Sequence, residues 1–320
     1  MKVIRDNFTK RIDVPTVIIL GSFDGIHVGH RALVENAKLL AEKIKKEKKL
    51  KDIEIMVCTF RNHPLSIIKS EICPKLIMSN EEKSIEFSKL GIDILNFMEF
   101  DRSFMEISPC DFVKNLKYYY NAYGIVVGFN YRFGYKNMGT IELLNEKSNE
   151  LGYELHVVEP VIVDEEVASS SVIRHNLQEG YIDKANKLLK RPYMLEGVVV
   201  EGKQLGRTID FPTANLDYNK RYIIPKRGVY GTIVEYKNNF YKGITNIGYN
   251  PTVNGKNLSI ETHILNFDEN IYQKDIKIYF MEKIRDEKKF STIEGLKKQL
   301  IKDKKYVSEN NYEIYGMKVY

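Results

Sequence analysis

Residues 21 to 30 read Gly21-Ser22-Phe23-Asp24-Gly25-Ile26-His27-Val28-Gly29-His30, and this stretch decides the fold of the first half of the chain. It follows the apolar run Val17–Leu20 and precedes apolar residues spaced three or four apart from Ala32 to Ile44. These patterns predict a strand, a glycine-rich turn and a helix. Such a turn directs free backbone N–H groups and the positive end of the helix toward one point, so a phosphate is the expected ligand. His27 and His30 are expected to face that point from the first helical turn.

The spacing His27-Val28-Gly29-His30 resembles the His-x-Gly-His signature of nucleotidyltransferases, which move a nucleotide from a triphosphate onto an acceptor phosphate. The strand-turn-helix context supports this interpretation. The stretch lacks the Gly-Lys-Ser/Thr ending of a Walker loop and the alternating glycines of a dinucleotide fingerprint. The alternative is that the two histidines merely cap a helix in a tight turn.

Composition limits the class of protein. A chain of 320 residues with 43% hydrophobic residues is expected to form about two globular domains. It contains no apolar run long enough to span a bilayer, and its first residues lack the apolar core of a secretion signal. Cys58, Cys73 and Cys110 are spaced for neither a disulfide framework nor a zinc site, which favours a reducing cytoplasm. The net charge of +6 suits polyphosphate ligands and falls short of a nucleic-acid footprint.

Residues 1–182 are predicted to form one α/β domain because strand-like and helix-like segments alternate along them. The predicted strands are Val17–Leu20, Ile53–Phe60, Ile92–Phe97, Gly124–Gly128 and Glu154–Val158, and the predicted helices include Asp111–Tyr120 and Ile141–Leu151. This order predicts a Rossmann-like parallel sheet with helices on both faces. In such sheets the ligand lies at the carboxyl ends of the strands.

Polar loops follow several of these strands. Thr59–Pro64 follows the second strand, Gly128–Gly139 the fourth, and Ser169–Arg174 the fifth. Serines at a helix start can cap it and donate hydroxyls to phosphate oxygens, and Arg174 can add a charge-assisted contact. Four polar loops at four strand ends, counting residues 21–30, indicate one binding site.

Residues 183–320 show a different pattern of predicted secondary structure. Leu177–Leu189 reads as a helical connection that Pro192 ends. Short β-rich runs follow at Met194–Val200, Gly228–Tyr236, Tyr241–Ile247, Ser259–Leu265 and Lys274–Arg285, and helical spacing returns from Phe290 to Asp303. Strands without intervening helices predict a small antiparallel β-barrel with a terminal helix.

Two clusters of residues in this second half are candidates for phosphate binding, metal binding and catalysis. The loop from Gly202 to Asn215 contains two glycines and two cations that could wrap phosphates, and its Thr213 and Asn215 offer the hard oxygen atoms that Mg²⁺ accepts. In the strand Ser259–Leu265, alternation places Glu261 and His263 on one face. A carboxylate beside a metal-phosphate site is a natural general base, whereas His263 is predicted to be a hydrogen-bonded strand histidine. The alternatives are a proline-bent hairpin and a surface carboxylate.

Together these motifs resemble the bifunctional bacterial riboflavin kinase/FAD synthetase family over nearly the whole chain. The resemblance implies that FMN attacks the α-phosphorus of ATP in the first domain, with His27 and His30 contacting the phosphates. It implies ATP contacts at Gly21, Phe23, Asp24, Gly25, Gly29, Ser170, Ser171 and Arg174, and flavin contacts at His63, Asn130 and Phe133. Asp24 either fixes the loop or touches Mg²⁺. Arg61-Asn62 and Asn130 depart from the family pattern, which has an acidic-proline pair and often Asp there.

For the second domain, the resemblance implies a riboflavin kinase. Its ATP contacts would be Gly202, Lys203, Gly206, Thr208, Thr213 and Asn215, with Thr213 and Asn215 also binding Mg²⁺. Glu261 would take the proton from riboflavin's 5′-hydroxyl, and Arg285 would lie near the flavin. The implied partners are riboflavin, FMN, FAD, ATP, ADP and pyrophosphate. ATP is a co-substrate, and no tightly bound prosthetic group, nucleic acid or membrane is implied; the protein is expected to be a monomer or weak homo-oligomer.

Two alternatives remain open at this stage. In the first, only one half of the chain is active. In the second, the chain is a flavin-sensing regulator that binds riboflavin or RNA without turnover. Thr213, Asn215 and Glu261 argue against the regulator, because a binding protein needs neither metal ligands nor a base.

Overall fold

A computed structural model of the chain describes residues 1–202, 206, 209–252, 255–314 and 319, with residues 250–252 and 255–257 described by their backbone alone. It divides into two compact units, Met1–Ser169 and Ser170–Tyr320. The contacts group residues 170–182 with the second unit, whereas the sequence prediction assigns them to the first domain. The domain boundary after residue 182 therefore stays a prediction.

The first unit is an α/β structure. Its strands are β1 (Lys2–Ile4), β2 (Thr16–Leu20), β3 (Glu54–Phe60), β4 (Ile94–Met98), β5 (Ala122–Gly128), β6 (Glu154–Val158), β7 (Ile162–Val163) and β8 (Glu166–Val167). Its helices are α1 (Val28–Glu47), α2 (Leu65–Ile68), α3 (Asn80–Lys89), α4 (Arg102–Met105), α5 (Pro109–Tyr120) and α6 (Ile141–Leu151), with 3₁₀ turns at Ser70–Ile72 and Tyr135–Asn137.

Strands β1 to β6 form one sheet in the order β1-β4-β3-β2-β5-β6, and all its pairs are parallel. The predicted parallel sheet is therefore confirmed. Strand β1, which the sequence predictions do not include, pairs with β4 at one edge; three residues are too few to show a periodic pattern. Strands β7 and β8 form a separate hairpin.

Helices cover both faces of the sheet, and β2 lies inside it with all five residues buried. Val17 and Ile19 belong to a core that includes α1, whereas Ile18 and Leu20 belong to a core that includes α5. Alternate residues of a strand point to opposite faces, so a strand packed on both faces reads as a continuous apolar run. This packing fixes the point from which residues 21–30 leave the sheet.

The second unit begins with two helices and continues as a barrel. Its elements are α7 (Ser170–Glu179), α8 (Ile182–Leu189), β9 (Tyr193–Val200), β10 (Ala214–Tyr218), β11 (Gly228–Tyr236), β12 (Asn239–Thr252), β13 (Gly255–Ile264), β14 (Asp275–Arg285) and α9 (Ile293–Glu309). The single predicted helical connection is wrong: Gly180, with φ +80°, separates α7 from α8. Strand β10 is not among the predicted strands.

The six strands close into an antiparallel barrel in the order β10-β13-β12-β11-β14-β9, as predicted. Thr232, Thr245 and Thr262 are fully buried in its interior, where their hydroxyls are linked at 2.9 and 2.8 Å. The opposite face of the same strands is the outer one: Ile244 packs there against Val307 of α9. Glu261 and His263 flank Thr262 in sequence and therefore lie on this outer face.

Candidate active sites

The loop Gly21–His30, which we call the histidine loop, leaves the carboxyl end of β2. Phe23, Gly25 and Ile26 all have positive φ, an uncommon conformation for the two non-glycine residues. The ring of Phe23 is completely buried and lies in edge contact with Phe87, 5.3 Å between ring centres. The Phe23 side chain therefore anchors the loop in the core.

The structure brings His27 and His30 together, with their rings stacked 3.7 Å apart. The two rings therefore face one spot, as expected, although His27 stands one position before the first helical turn, as the N-cap residue of α1. Its Nδ1 accepts a hydrogen bond from the backbone N–H of Gly29 at 3.2 Å. A methyl group on Gly29 would lie 3.1 Å from the His27 ring, so a glycine here leaves room for the capping imidazole. Capping and stacking thus coexist in the histidine loop.

Burial keeps both imidazoles neutral at pH 7. It lowers the pKa of His27 to about 4. The pKa of His30 lies well below its ordinary value because of burial first, and then because of the charges of His27 and Lys83. Since Nδ1 of neutral His27 accepts a hydrogen bond, its Nε2 carries the proton and is free to donate.

The lowered pKa of His27 predicts a loss of stability in acid. Below about pH 6.5 the unfolded chain binds a proton that the folded site resists, so stability falls as the pH drops toward about 4. The loss amounts to roughly 2–3 kcal/mol for His27. Urea unfolding, followed through the amide NMR signals of the first unit, measures it. In His27→Asn, which retains a capping side chain, this part of the acid dependence should vanish; an unchanged acid dependence would contradict the assignment.

Asp24 fixes the histidine loop, which is one of the two roles that the sequence leaves open. Its carboxylate is 3% exposed, and Oδ1 accepts hydrogen bonds from the backbone N–H groups of Ile77 at 3.0 Å and Met78 at 3.4 Å. The segment leading into α3 is thereby tied to the loop.

Sequence reasoning missed Lys83 and Thr59. Both donate to the carbonyl oxygen of Ser22 in the histidine loop, Lys83 Nζ at 3.1 Å and Thr59 Oγ1 at 2.9 Å, and both are almost fully buried. The signal for Lys83 is its position on the face of α3 that also carries Phe87, four residues on. That signal is visible only once the helix itself is predicted.

The predicted flavin contacts differ in exposure. His63 Nδ1 accepts from the N–H of Leu65 at 3.1 Å. Asn130 is exposed, whereas Phe133 is only 4% exposed and packs on Phe112, so its ring belongs to the core. Phe129, which the sequence analysis does not single out, is 44% exposed directly after β5. It offers an aromatic surface at the carboxyl end of the sheet.

Asn62 explains one departure from the family pattern. Its amide donates to the carbonyl of Phe100 at 2.8 Å and accepts from the N–H of Phe100 at 2.9 Å, so it joins two neighbouring strand ends. Arg61 forms an exposed ion pair with Glu99 at 3.3 Å. Both side chains therefore have structural partners.

Ser170, Ser171 and Arg174 lie in the first turns of α7, as predicted for a helix start. The carbonyl oxygen of Ala168, two residues before this helix, would lie 3.7 Å from a methyl group on Gly29. Ala168, near the C-terminal end of the first unit, therefore lies beside the histidine loop.

The barrel brings a second set of predicted residues together on its outer face. Asn215 of β10 lies directly opposite Glu261 of β13, and Asn246 of β12 lies opposite Glu261 on its other side. Directly opposite residues have Cβ atoms about 5 Å apart. We call this row the Asn-Glu-Asn row. Asn246 has no role in the sequence predictions, because only the strand register places it beside Glu261.

The loop before β10 is built closely around this row. A methyl group on Gly202 would collide with the side chain of Asn215, and one on Gly206 with the carbonyl of Phe211. The Gly206 carbonyl accepts from the N–H of Phe211 at 2.8 Å. Lys203 and Thr208, also predicted to contact ATP, lie outside the described residues.

The donor set fits Mg²⁺. Asn215 lies across from Glu261, and Thr213 is two residues before Asn215, so an amide, a carboxylate and a hydroxyl oxygen are available in this part of the barrel. In the described part of the chain, no three His, Cys, Asp or Glu side chains are grouped closely enough to hold a metal by themselves. A site completed by nucleotide phosphates matches this composition.

The two remaining strand residues have defined partners. Ser259 Oγ donates to Glu261 at 3.2 Å. His263 Nδ1 lies 2.9 Å from the carbonyl oxygen of Pro212, which confirms the prediction of a hydrogen-bonded strand histidine. Burial lowers the pKa of His263, so it stays neutral at pH 7.

Arg285 is held by α9. Its guanidinium forms an ion pair with Asp303 at 2.8 Å, and Gln299 also donates to that carboxylate at 2.9 Å. The Asp303 side chain is only 3% exposed, so the ion pair is shielded from solvent and holds the guanidinium of Arg285 in one place. This contact sets the place from which Arg285 could meet a flavin.

Among the described helices, none combines the length and the apolar character needed to cross a bilayer.

Fold and sites together define a transferase of two domains, each built to handle phosphates. Family models match both parts: FAD synthetase over residues 9–172 and riboflavin kinase over residues 189–310. The chain is 35% identical over 300 residues to the bifunctional riboflavin kinase/FMN adenylyltransferase of Bacillus subtilis, covering 92% of each chain. It is 37% identical over 295 residues to that of Listeria monocytogenes, covering 91% of each.

A crystal structure from Streptococcus pneumoniae, described as a macrolide-efflux protein, has the same fold: the TM-score is 0.84 at 30% identity, over 97% of this chain and 100% of that one. The chain belongs to the family of bifunctional riboflavin kinase/FMN adenylyltransferases. Both domains of the family are present, which supports both activities in one polypeptide.

Proposed function

We propose that the barrel unit phosphorylates riboflavin at the Asn-Glu-Asn row. The 5′-hydroxyl of riboflavin attacks the γ-phosphorus of ATP, Glu261 accepts the hydroxyl proton, and ADP leaves as FMN forms. The pairing of Asn215 with Glu261 across β10 and β13 is the observation that carries this assignment. A carboxylate beside an amide oxygen supports this role, because a hydroxyl nucleophile needs a base and a metal-bound triphosphate needs oxygen ligands.

Mg²⁺ bound by Thr213 and Asn215 would neutralise charge on the ATP phosphates. Gly202 lies against the side chain of Asn215, and we assign Gly202, Gly206, Lys203 and Thr208 to one phosphate-binding loop. Arg285, oriented by Asp303, is assigned to the flavin.

We further propose that the first unit transfers AMP to FMN at the histidine loop. The terminal phosphate of FMN attacks the α-phosphorus of ATP, and pyrophosphate leaves. The nucleophile is already anionic, so catalysis depends on positioning and on stabilising the developing charge. The stacked, neutral pair His27 and His30 at the start of α1 supports this role, because His27 presents a free Nε2–H donor.

Other residues would complete that site. Gly21, Gly25 and Gly29 shape the backbone around the phosphates, Phe23 and Asp24 hold the loop, and Ser170, Ser171 and Arg174 would contact the pyrophosphate. Asn130 and His63 are assigned to FMN. The buried Phe133 would support their loop, and the exposed Phe129 is the better candidate for contact with the flavin ring.

The proposed partners are small molecules: riboflavin, FMN, FAD, ATP, ADP and pyrophosphate. We propose a cytoplasmic location, no nucleic-acid or membrane partner, and a monomer or weak homo-oligomer. Cys58, Cys73 and Cys110 are all free thiols, which supports a reducing compartment.

One time course tests the whole proposal. Given riboflavin, ATP and Mg²⁺, the full chain should accumulate FMN first and then FAD with release of pyrophosphate; chelating Mg²⁺ with EDTA should slow FMN formation by a factor of about ten or more. Chromatography resolves the three flavins. FMN without FAD would instead mean that only the kinase is active, and flavin binding without turnover would favour a regulator.

A further inference from the structure

The segment from Ile77 to Phe87, which we call the clamp, holds the histidine loop at several points. Its backbone donates to Asp24, Phe87 packs on Phe23, and Glu86 forms an ion pair with Arg31 at 2.8 Å. Because Arg31 directly follows His30, the clamp contacts the histidine loop near its start, at Phe23 and Asp24, and just after its end, at Arg31. Lys83 lies in the middle of this segment.

Lys83 is an unusual member of the clamp. Its side chain is 6% exposed, and its ammonium donates to the Ser22 carbonyl at 3.1 Å. Burying an ammonium is costly, and lysines are rarely buried without a compensating partner. Burial lowers the pKa of Lys83, and the negative charge of Asp24 opposes that shift. A buried lysine therefore lies next to the loop predicted to bind ATP.

The charged and titratable groups around Lys83 come from three elements. The histidine loop contributes Asp24, His27 and His30, α1 contributes Arg31, and α3 contributes Glu86. Glu86 forms ion pairs with both Arg31 and Lys89 of α3, at 2.8 and 2.9 Å. The charge of Lys83 contributes to the lowered pKa of His30 and so disfavours its imidazolium form.

We propose that Lys83 is a positioning residue for FMN adenylylation: its buried side chain donates to the Ser22 carbonyl at the start of the loop that carries the stacked pair of His27 and His30. Through the carbonyl it fixes the course of residues 21–23, where the backbone meets the phosphates. Its charge adds to the burial that disfavours the imidazolium form of His30. This inference rests on the adenylyltransferase site proposed above.

Lys83→Met removes the charge and the donor while retaining most of the side-chain volume. In the full chain, kcat/KM for ATP in FAD formation should fall by about tenfold or more, while FMN formation from riboflavin stays within about twofold as an internal control. Histidine side-chain NMR should show the titration midpoint of His30 moving upward. That second readout separates a positioning role from a merely structural one.

Two matched variants sharpen the comparison. Thr59→Val removes the other hydrogen bond to the Ser22 carbonyl without changing charge, so it should reduce FAD formation and leave the histidine titration unchanged. Lys38→Met removes a partly exposed lysine of α1 that pairs with Glu35, outside the clamp, and should change neither quantity. If Lys83→Met disrupts the first unit, Lys83→Gln, which also lacks the charge, should show the same upward shift of His30.

The inference is overturned if Lys83→Met forms FAD within about twofold of the parent rate, or if the histidine titration does not move in the uncharged variants. Failure of the underlying site looks different: FAD formation would then survive the loss of His27 and His30 themselves. If that loss abolishes FAD formation while Lys83→Met is silent, only the role of Lys83 is wrong.

Discussion

Glu261→Gln should abolish FMN formation and leave FAD formation from supplied FMN intact. Glutamine preserves the shape and the hydrogen bond from Ser259 but accepts no proton from the riboflavin hydroxyl. General bases contribute factors of about 10² to 10⁴, so kinase turnover should fall by that amount. Chromatographic assays of each half-reaction, run on the same preparation, measure both activities.

Glu196→Gln is a suitable control for this experiment. Glu196 lies on β9 of the same barrel, opposite Lys277 of β14, and the substitution is chemically identical. It should leave both activities unchanged. Retention of more than about a tenth of the parent kinase rate in Glu261→Gln would remove Glu261 from the role of base.

The second large effect is expected from His27→Ala combined with His30→Ala. Removing one preorganised hydrogen-bond donor from a charge-stabilising site costs a factor of about 10² to 10³, and this variant removes two. FAD formation should therefore become undetectable, whereas phosphorylation of riboflavin continues. The measurement is release of pyrophosphate and FAD from FMN and ATP.

His156→Ala provides the matched control, because His156 is an exposed histidine on β6 of the same sheet. It should behave like the parent protein. Loss of the His27 cap will cost about 1 kcal/mol, so folding of the first unit is checked by its amide NMR signals. If either the Glu261 or the histidine variant stopped both reactions in a folded chain, the two sites would not be independent.

Local patterns predicted much of this protein. The strand, glycine-rich turn and helix around residues 17–44 depend on apolar spacing and turn chemistry, which neighbouring residues determine. The same holds for β6 and α6, whose predicted bounds match the structure. Strand β1 was not predicted, because its three residues leave no measurable period.

The site was only partly predictable for a related reason. Phe129 and Phe133 look equivalent in sequence, yet one is exposed and the other lies in the core. The hydrogen bonds from Ile77 and Met78 to Asp24 join segments more than fifty residues apart, and no pattern around Asp24 predicts them. Each distinction depends on residues that are distant in sequence.

The sequence alone determined the two-domain organisation, the parallel sheet, the barrel and the motifs that place a phosphate site in each half. The tertiary structure decided which side chains meet: Asn246 and Asn215 on either side of Glu261, and Lys83 beneath the histidine loop. Strand register and helix packing join residues tens of positions apart, and no periodicity along the chain encodes which partner each one finds.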